Sequence, residues 1–284
     1  MKLILDKILN QLRNPYQIFQ KFYEFYFFFR YKIFYNESLY IKNQNILFEK
    51  NLLNRKTGLN KIKYIKTKYP FLNSPMSSEH QVIFSSLSKK KNFKKILEIG
   101  TFDGTNAFLL SKLFPKSKIT TIDLEDSSEE FAESYGRFNY NKRKIFCKKR
   151  NAILAKSKNI KFIQKNSLYL TFSKNNYDLI WVDGAHGNPI VTIDIINALR
   201  LLNKGGYVAV DDIFINKNNE LKNFSSFSKK FSPLMFSSID GYETLKNLSR
   251  VKLINFELFY KRICRDHNSI PSRRKYIALF QNNT

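Results

Sequence analysis

The run Ile96-Leu97-Glu98-Ile99-Gly100-Thr101-Phe102-Asp103-Gly104-Thr105-Asn106 constrains this chain more than any other stretch. An apolar strand ends in a carboxylate, a glycine turn follows, and Ala107-Phe108-Leu109-Leu110 opens a helical pattern. Gly100 can adopt a positive φ or a close approach that a side chain would block, and Gly104 lets the helix start lie against both a ligand and the sheet. This is the geometry of a turn that cradles a nucleotide. The spacing narrows the ligand. A dinucleotide site needs G-x-G-x-x-G, whereas Thr101 and Phe102 stand where a second close glycine would receive a pyrophosphate, so a ligand without phosphates fits better.

From Ile96 onward, strand and helix patterns alternate with the rhythm of a doubly wound α/β sheet. Strands are expected at 95–100, 118–123, 160–165, 177–183 and 206–211, with helices at 104–114, 127–138 and 189–202. The connection from 124 to 159 is longer than one helix requires and implies an extra one. Val251 to Phe259 and Tyr276 to Phe280 read as an antiparallel pair closing one sheet edge. Before this core, Phe19, Phe22, Tyr26, Phe29 and Ile33 recur at steps of three and four, one face of a helix. The expected organisation is an N-terminal aromatic-rich helical segment over 1–70 and a main domain over 71–284.

The formal net charge of +26 invites a polyanionic partner. However, Lys, Asn, Ile, Phe and Tyr are enriched together along the whole length, as a coding bias toward A and T would produce. Most of the excess is therefore read as solvated surface; the densest basic cluster runs from Lys142 to Arg150. Cys147 and Cys264 are far apart and in no metal-binding spacing, which argues against a disulfide framework or a zinc site and for a reducing, cytoplasmic setting. Asp6 and Lys7 interrupt the first apolar run, so no signal peptide is expected. No uncharged apolar stretch reaches the roughly 18 residues of a spanning helix. The aromatic face within 15–35 could still pack on its own domain, on a second copy of the chain, or against the inner face of a membrane as an interfacial helix.

In an open α/β sheet, ligands sit beyond the carboxyl ends of the strands. Asp123 closes the second strand, where a carboxylate can accept from both hydroxyls of a ribose. Asn166 and Ser167 close the third, where an amide oxygen could accept from an adenine amino group. Asp183 ends the fourth, followed by Gly184-Ala185-His186, and Asp211 and Asp212 end the fifth. If those last two strands are neighbours, their ends lie about 5 Å apart and three carboxylates converge. Such a cluster is costly unless a cation or a proton occupies it. Hard oxygen ligands suit Mg²⁺ or a similar divalent ion rather than zinc. His186 could take a proton from a substrate hydroxyl, since its reference pKa is roughly 6.5.

Glu98 to Gly104, Asp123, the Val182 to His186 run and the Gly205 to Asp212 strand together resemble the class I S-adenosylmethionine (SAM) dependent methyltransferases. The likeness is to their metal-dependent O-methyltransferase branch, which modifies sugars and natural products, catechols and caffeoyl-CoA. It extends back to Met76-Ser77 and the helix after them. The resemblance implies a mostly parallel seven-stranded, Rossmann-like sheet with an N-terminal helical extension. It makes Glu98, Gly100 and Asp123 cofactor contacts, and Thr101, Gly104, Asn166, Ser167 and Met76 complete the candidate cofactor set. Asp183, Asp211 and Asp212 become candidate metal ligands, and His186 with Asp183 the catalytic pair. Catechol-type members carry Asp-Asn where this chain has Asp211-Asp212, whereas sugar-type members carry two acids.

The expected activity is therefore methyl transfer from SAM to a hydroxyl of a sugar or other small acceptor, with Mg²⁺ or another hard divalent cation. An RNA methyltransferase, and a non-catalytic SAM-fold protein anchored through its N-terminal helix, are the alternatives. Nucleic acid is the less favoured partner, because Asp183-Gly184-Ala185-His186 stands where amino-methylating enzymes present an Asn or Asp followed by Pro-Pro and an aromatic. Acceptor specificity is expected to lie in the N-terminal segment and in Asn216 to Leu248.

Overall fold

The computed structural model describes residues 33–73, 78–215, 239–268 and 274–282, together with Phe19, Phe22, Tyr23, Phe25, Tyr26, Phe29 and Arg30. Its strands are β1 (Lys95–Ile99), β2 (Lys118–Asp123), β3 (Ile160–Gln164), β4 (Tyr177–Val182), β5 (Leu202–Ile213), β6 (Ile254–Tyr260) and β7 (Tyr276–Asn282). They form one seven-stranded sheet in the order β3-β2-β1-β4-β5-β7-β6, with β1 to β5 parallel and β7 antiparallel to both of its neighbours. The chain runs outward from β1 to β3, returns to β4, and so creates a switch point between β1 and β4. A cleft opens at such a point, beyond the strand ends.

The α-helices of the described residues are α1 (Glu37–Lys50), α2 (Arg55–Lys68), α3 (His80–Lys90), α4 (Thr105–Leu113), α5 (Glu129–Glu133), α6 (Tyr140–Leu154), α7 (Ile190–Arg200), α8 (Asp240–Arg250) and the single turn α9 (Arg265–Asn268). The central strands are buried on both faces, and their alternation divides the core in two. Along β4, Leu179 and Trp181 face a cluster with Phe48, Ile62, Ile83 and Phe108, whereas Ile180 and Val182 face one with Ile195, Val208 and Leu245. Phe48 of α1 and Ile62 of α2 thus share a core with the sheet, across the expected boundary at residue 70. Polar contacts fix the same helices. Arg55 donates twice to Glu79 at 2.8 Å, and Gln44 donates to Glu79 at 3.2 Å and exchanges hydrogen bonds with the Tyr260 backbone.

Three local expectations change. The helix placed at 127–138 is only α5 followed by a 3-10 turn at Ser134–Gly136, where Gly136 takes φ +62°, and the extra helix is α6. Strand β5, expected at 206–211, starts at Leu202 and runs on to Ile213, so Asp211 and Asp212 lie inside it. Its pairing with β7 slips between Val210 and Ile213, and Asp212 sits in the left-handed region at φ +53°. Strand β3 stops at Gln164, and Asn166 instead caps the 3-10 helix Ser167–Phe172 by accepting from the Leu168 N–H at 3.0 Å.

In the N-terminal segment, Phe19, Phe22, Tyr23, Phe25, Tyr26, Phe29, Ile33 and Phe34 are all exposed. Among the described residues, no helix is long and apolar enough to cross a membrane.

Candidate active site

Beyond the carboxyl ends of β1, β2 and β4 lies a cavity of about 230 Å³. Gly100, Asp123, Asn166, Ser167 and Asp183 line it, with Phe102, Arg137 and Ile190 among the other walls. Register explains the convergence. Ile99 pairs with Val182, and Val182 with Val210, so Gly100, Asp183 and Asp211 follow side by side, one step beyond. Asp123 accepts from the Phe102 N–H at 3.0 Å and the Leu124 N–H at 2.9 Å. Its pKa is nevertheless raised, because burial outweighs those hydrogen bonds and the Arg137 charge.

The glycine turn is built for packing as much as for a ligand. Gly100 takes φ +97°, and a Cβ there would lie 2.1 Å from the Asp183 carbonyl oxygen. Gly104 takes φ +79°, and a Cβ there would meet Leu154 of α6 at 2.9 Å. Gly104 therefore admits α6 rather than lining the cavity. Glu98 and Thr101 are also set back from it. Glu98 is buried, accepts from Thr121 Oγ1 at 2.5 Å and Asn106 Nδ2 at 2.7 Å, and burial pushes its pKa up to about 8. The Thr101 hydroxyl shares a hydrogen bond with Thr121 at 2.6 Å. These three candidate cofactor contacts stabilise the turn from behind. Met76, the remaining one, lies outside the described residues.

Asp183, Asp211 and Asp212 do come together, but cations of the chain come with them. Lys261 Nζ donates to Asp211 Oδ2 at 2.5 Å and also bonds Asp212 Oδ1, while Lys275 Nζ donates to Asp212 Oδ2 at 2.6 Å. Among the described residues, no three carboxylate, imidazole or thiol groups are arranged to hold a metal ion. A buried ammonium among the carboxylates repels a dication and bonds Asp211 Oδ2 and Asp212 Oδ1, so the residues as placed do not fit a resident Mg²⁺.

The protonation states follow from this arrangement. Burial and the adjacent Asp211 push the Asp183 pKa well above the carboxylate range. Lys261 and Lys275 overcome burial at Asp212 and hold it well below that range. His186 Nε2 lies 3.8 Å from both Asp183 Oδ1 and Asp212 Oδ2. Burial outweighs those acids and lowers the His186 pKa, leaving a neutral imidazole.

Residues 97–213, from β1 to the end of β5, match the family model described as "Methyltransferase domain". This stretch is similar to methyltransferase domains. Three solved structures are among those similar to this chain. One is the O-methyltransferase from Bacillus cereus in complex with SAH, at 15% identity over 70% of this chain and 79% of that one, TM-score 0.45. Another is TomG from Streptomyces achromogenes, an O-methyltransferase involved in tomaymycin synthesis, in complex with SAM, at 16% identity over 84% and 96%, TM-score 0.46. The third is the N-methyltransferase NodS from Bradyrhizobium japonicum in complex with S-adenosyl-L-homocysteine, at 14% identity over 76% and 92%, TM-score 0.46. With both O- and N-methyltransferases at this level of likeness, none of them indicates the acceptor. No curated protein matches the chain.

Sequence reasoning missed Lys261, Lys275 and Arg137. Both lysines belong to the returning strand pair, outside the matched domain, at the end of β6 and just before β7. Arg137 lies over the rings of Phe131 and Phe146 at 4.5 and 4.4 Å, at the cavity wall. The basic cluster is not uniformly surface. Arg150 is fully buried, donates to both Asp126 oxygens at 2.9 and 2.8 Å, and packs on Phe162 at 4.3 Å.

Proposed function

We propose that this protein transfers the methyl group of SAM to a hydroxyl of a sugar or another small acceptor. One observation carries the reading: a single cavity runs from Asp123 at the end of β2 to Asp183 at the end of β4, with the neutral His186 imidazole 3.8 Å from Asp183. The donor supplies a methyl carbon already activated by its sulfonium. What remains for the chain is to align three atoms, exclude water and accept a proton.

In this scheme Asp123 accepts from the ribose hydroxyls, and Asn166 and Ser167 border the neighbouring adenine. Gly100 brings the turn against Asp183, closing the cavity floor where the reacting methyl would lie. As the oxygen–methyl bond forms and the sulfur–methyl bond breaks, the hydroxyl proton passes to His186 Nε2. Asp212, 3.8 Å from that nitrogen, stabilises the imidazolium formed. S-adenosylhomocysteine leaves, and solvent restores the neutral imidazole.

Calorimetry tests the donor site. Wild type should bind SAM, Asp123→Ala should lose at least about tenfold in affinity, and His186→Ala should bind normally yet fail to label any glycan or phenolic acceptor that wild type labels. A wild-type protein that binds no SAM would refute the proposal.

A second reading concerns place rather than chemistry. The exposed aromatic positions from Phe19 to Phe34, on a chain of net charge +26, suit peripheral contact with an anionic membrane face on the cytoplasmic side.

A further inference from the structure

We infer that Lys261 holds, as part of the chain, the cation position that Asp183, Asp211 and Asp212 would otherwise offer to a divalent metal. The inference rests on the methyltransferase reading for its context, but its evidence is the geometry of the acid cluster.

The Lys261 ammonium is buried and touches two of the three acids, Asp211 Oδ2 at 2.5 Å and Asp212 Oδ1. This is not a surface lysine that has folded inward. Its backbone is fixed on both sides: its N–H donates to the Lys275 carbonyl at 3.0 Å, and its carbonyl accepts from the Glu79 N–H at 2.9 Å. The N-terminal helices hold this corner of the chain. Glu79 is gripped by Arg55, and Gln44 hydrogen-bonds the backbone of Tyr260, the residue before Lys261. The N-terminal helices α1 and α2 therefore set the point from which Lys261 reaches the acids.

The chain itself brings positive charge to the acids: two ammonium groups, Lys261 and Lys275, face Asp211 and Asp212. The left-handed backbone at Asp212, φ +53°, turns this carboxylate to a place where both lysines reach it. A metal would need carboxylate oxygens at about 2.0–2.6 Å, and the ammonium groups already hold Asp211 Oδ2 and both oxygens of Asp212. Lys261 in this arrangement is a positioning residue: it fixes Asp212 beside His186 and keeps the acids from repelling one another.

Mn²⁺ binding read by electron paramagnetic resonance tests this on the full chain, with SAM calorimetry on the same samples. Wild type is expected to leave added Mn²⁺ free, and EDTA should change neither its SAM affinity nor its melting temperature. Lys261→Met uncovers the acids and should bind one equivalent of Mn²⁺ at least about tenfold tighter than wild type, and Lys261→Met/Asp212→Asn should lose that gain. Wild-type protein that binds one equivalent of Mn²⁺, and loses it when Asp211→Asn is introduced, would overturn the inference, as would a folded Lys261→Met with no gain. Should Lys261→Met fail to fold by circular dichroism, the wild-type titration still decides. If wild type binds neither Mn²⁺ nor SAM, the methyltransferase proposal fails while the assignment of Lys261 stands.

Discussion

Replacing Glu98 by Gln isolates the electrostatic cost carried by the glycine turn. Glu98 is buried with its carboxylate between Thr121 and Asn106, and burial lifts its pKa from 4.5 to about 8 despite both hydrogen bonds. A folded-state pKa above the unfolded one means that the native state binds the proton more tightly. The resulting stabilisation is complete below pH 4.5 and is lost as pH rises through about 8. At about 1.4 kcal/mol per pH unit, this interval is worth up to about 5 kcal/mol. Gln has the same shape, can donate to Thr121 and accept from Asn106, and cannot ionise. Glu98→Gln should therefore melt near the wild-type temperature at pH 4.5 and about 5–10 °C above it at pH 8. Paired melts at fixed ionic strength measure the difference, in which the titration of distant groups cancels. A difference that does not grow with pH, or a variant less stable than wild type at pH 8, would refute the burial argument. SAM calorimetry on the same protein should show unchanged affinity, since Glu98 stands behind the cavity wall.

Gly100→Ala forces a Cβ to 2.1 Å from the Asp183 carbonyl at φ +97°, so urea unfolding should show a loss of about 3 kcal/mol or more, with SAM binding lost as well. Because the His186 pKa is lowered, its imidazole stays neutral and able to accept a proton somewhat below pH 6.5; the acid limb of kcat/KM should fall there, and a limb centred at pH 7 or above would count against this base. Replacing Phe22 and Phe29, each exposed, with Ser should weaken binding to anionic vesicles about tenfold per residue and leave binding to SAM unchanged; equal binding by wild type and variants would remove the membrane reading.

Local code made much of this molecule legible. The apolar run at Leu179 to Val182, the glycine turn at Gly100 and the spacing to Asp123 depend on neighbours in sequence, and the structure places them at the centre of the sheet and around one cavity. Glu98 and Gly104 have ligand-facing residue types, yet one is enclosed by Thr121 and Asn106 and the other by Leu154, contacts that no pattern of spacing encodes. The acid cluster shows both sides. Its need for positive charge follows from three carboxylates at adjacent strand ends, but the group that meets the need lies 50 residues from Asp211. With 49 Lys and Arg in the chain, composition could not single out Lys261. Its position depends on the antiparallel return of β6 and β7 and on Gln44 and Glu79, which tie the N-terminal helices to the same corner. The returning strands and the N-terminal helices therefore belong to the candidate site as much as to the fold, since together they deliver the ammonium that sits among the three acids beside His186.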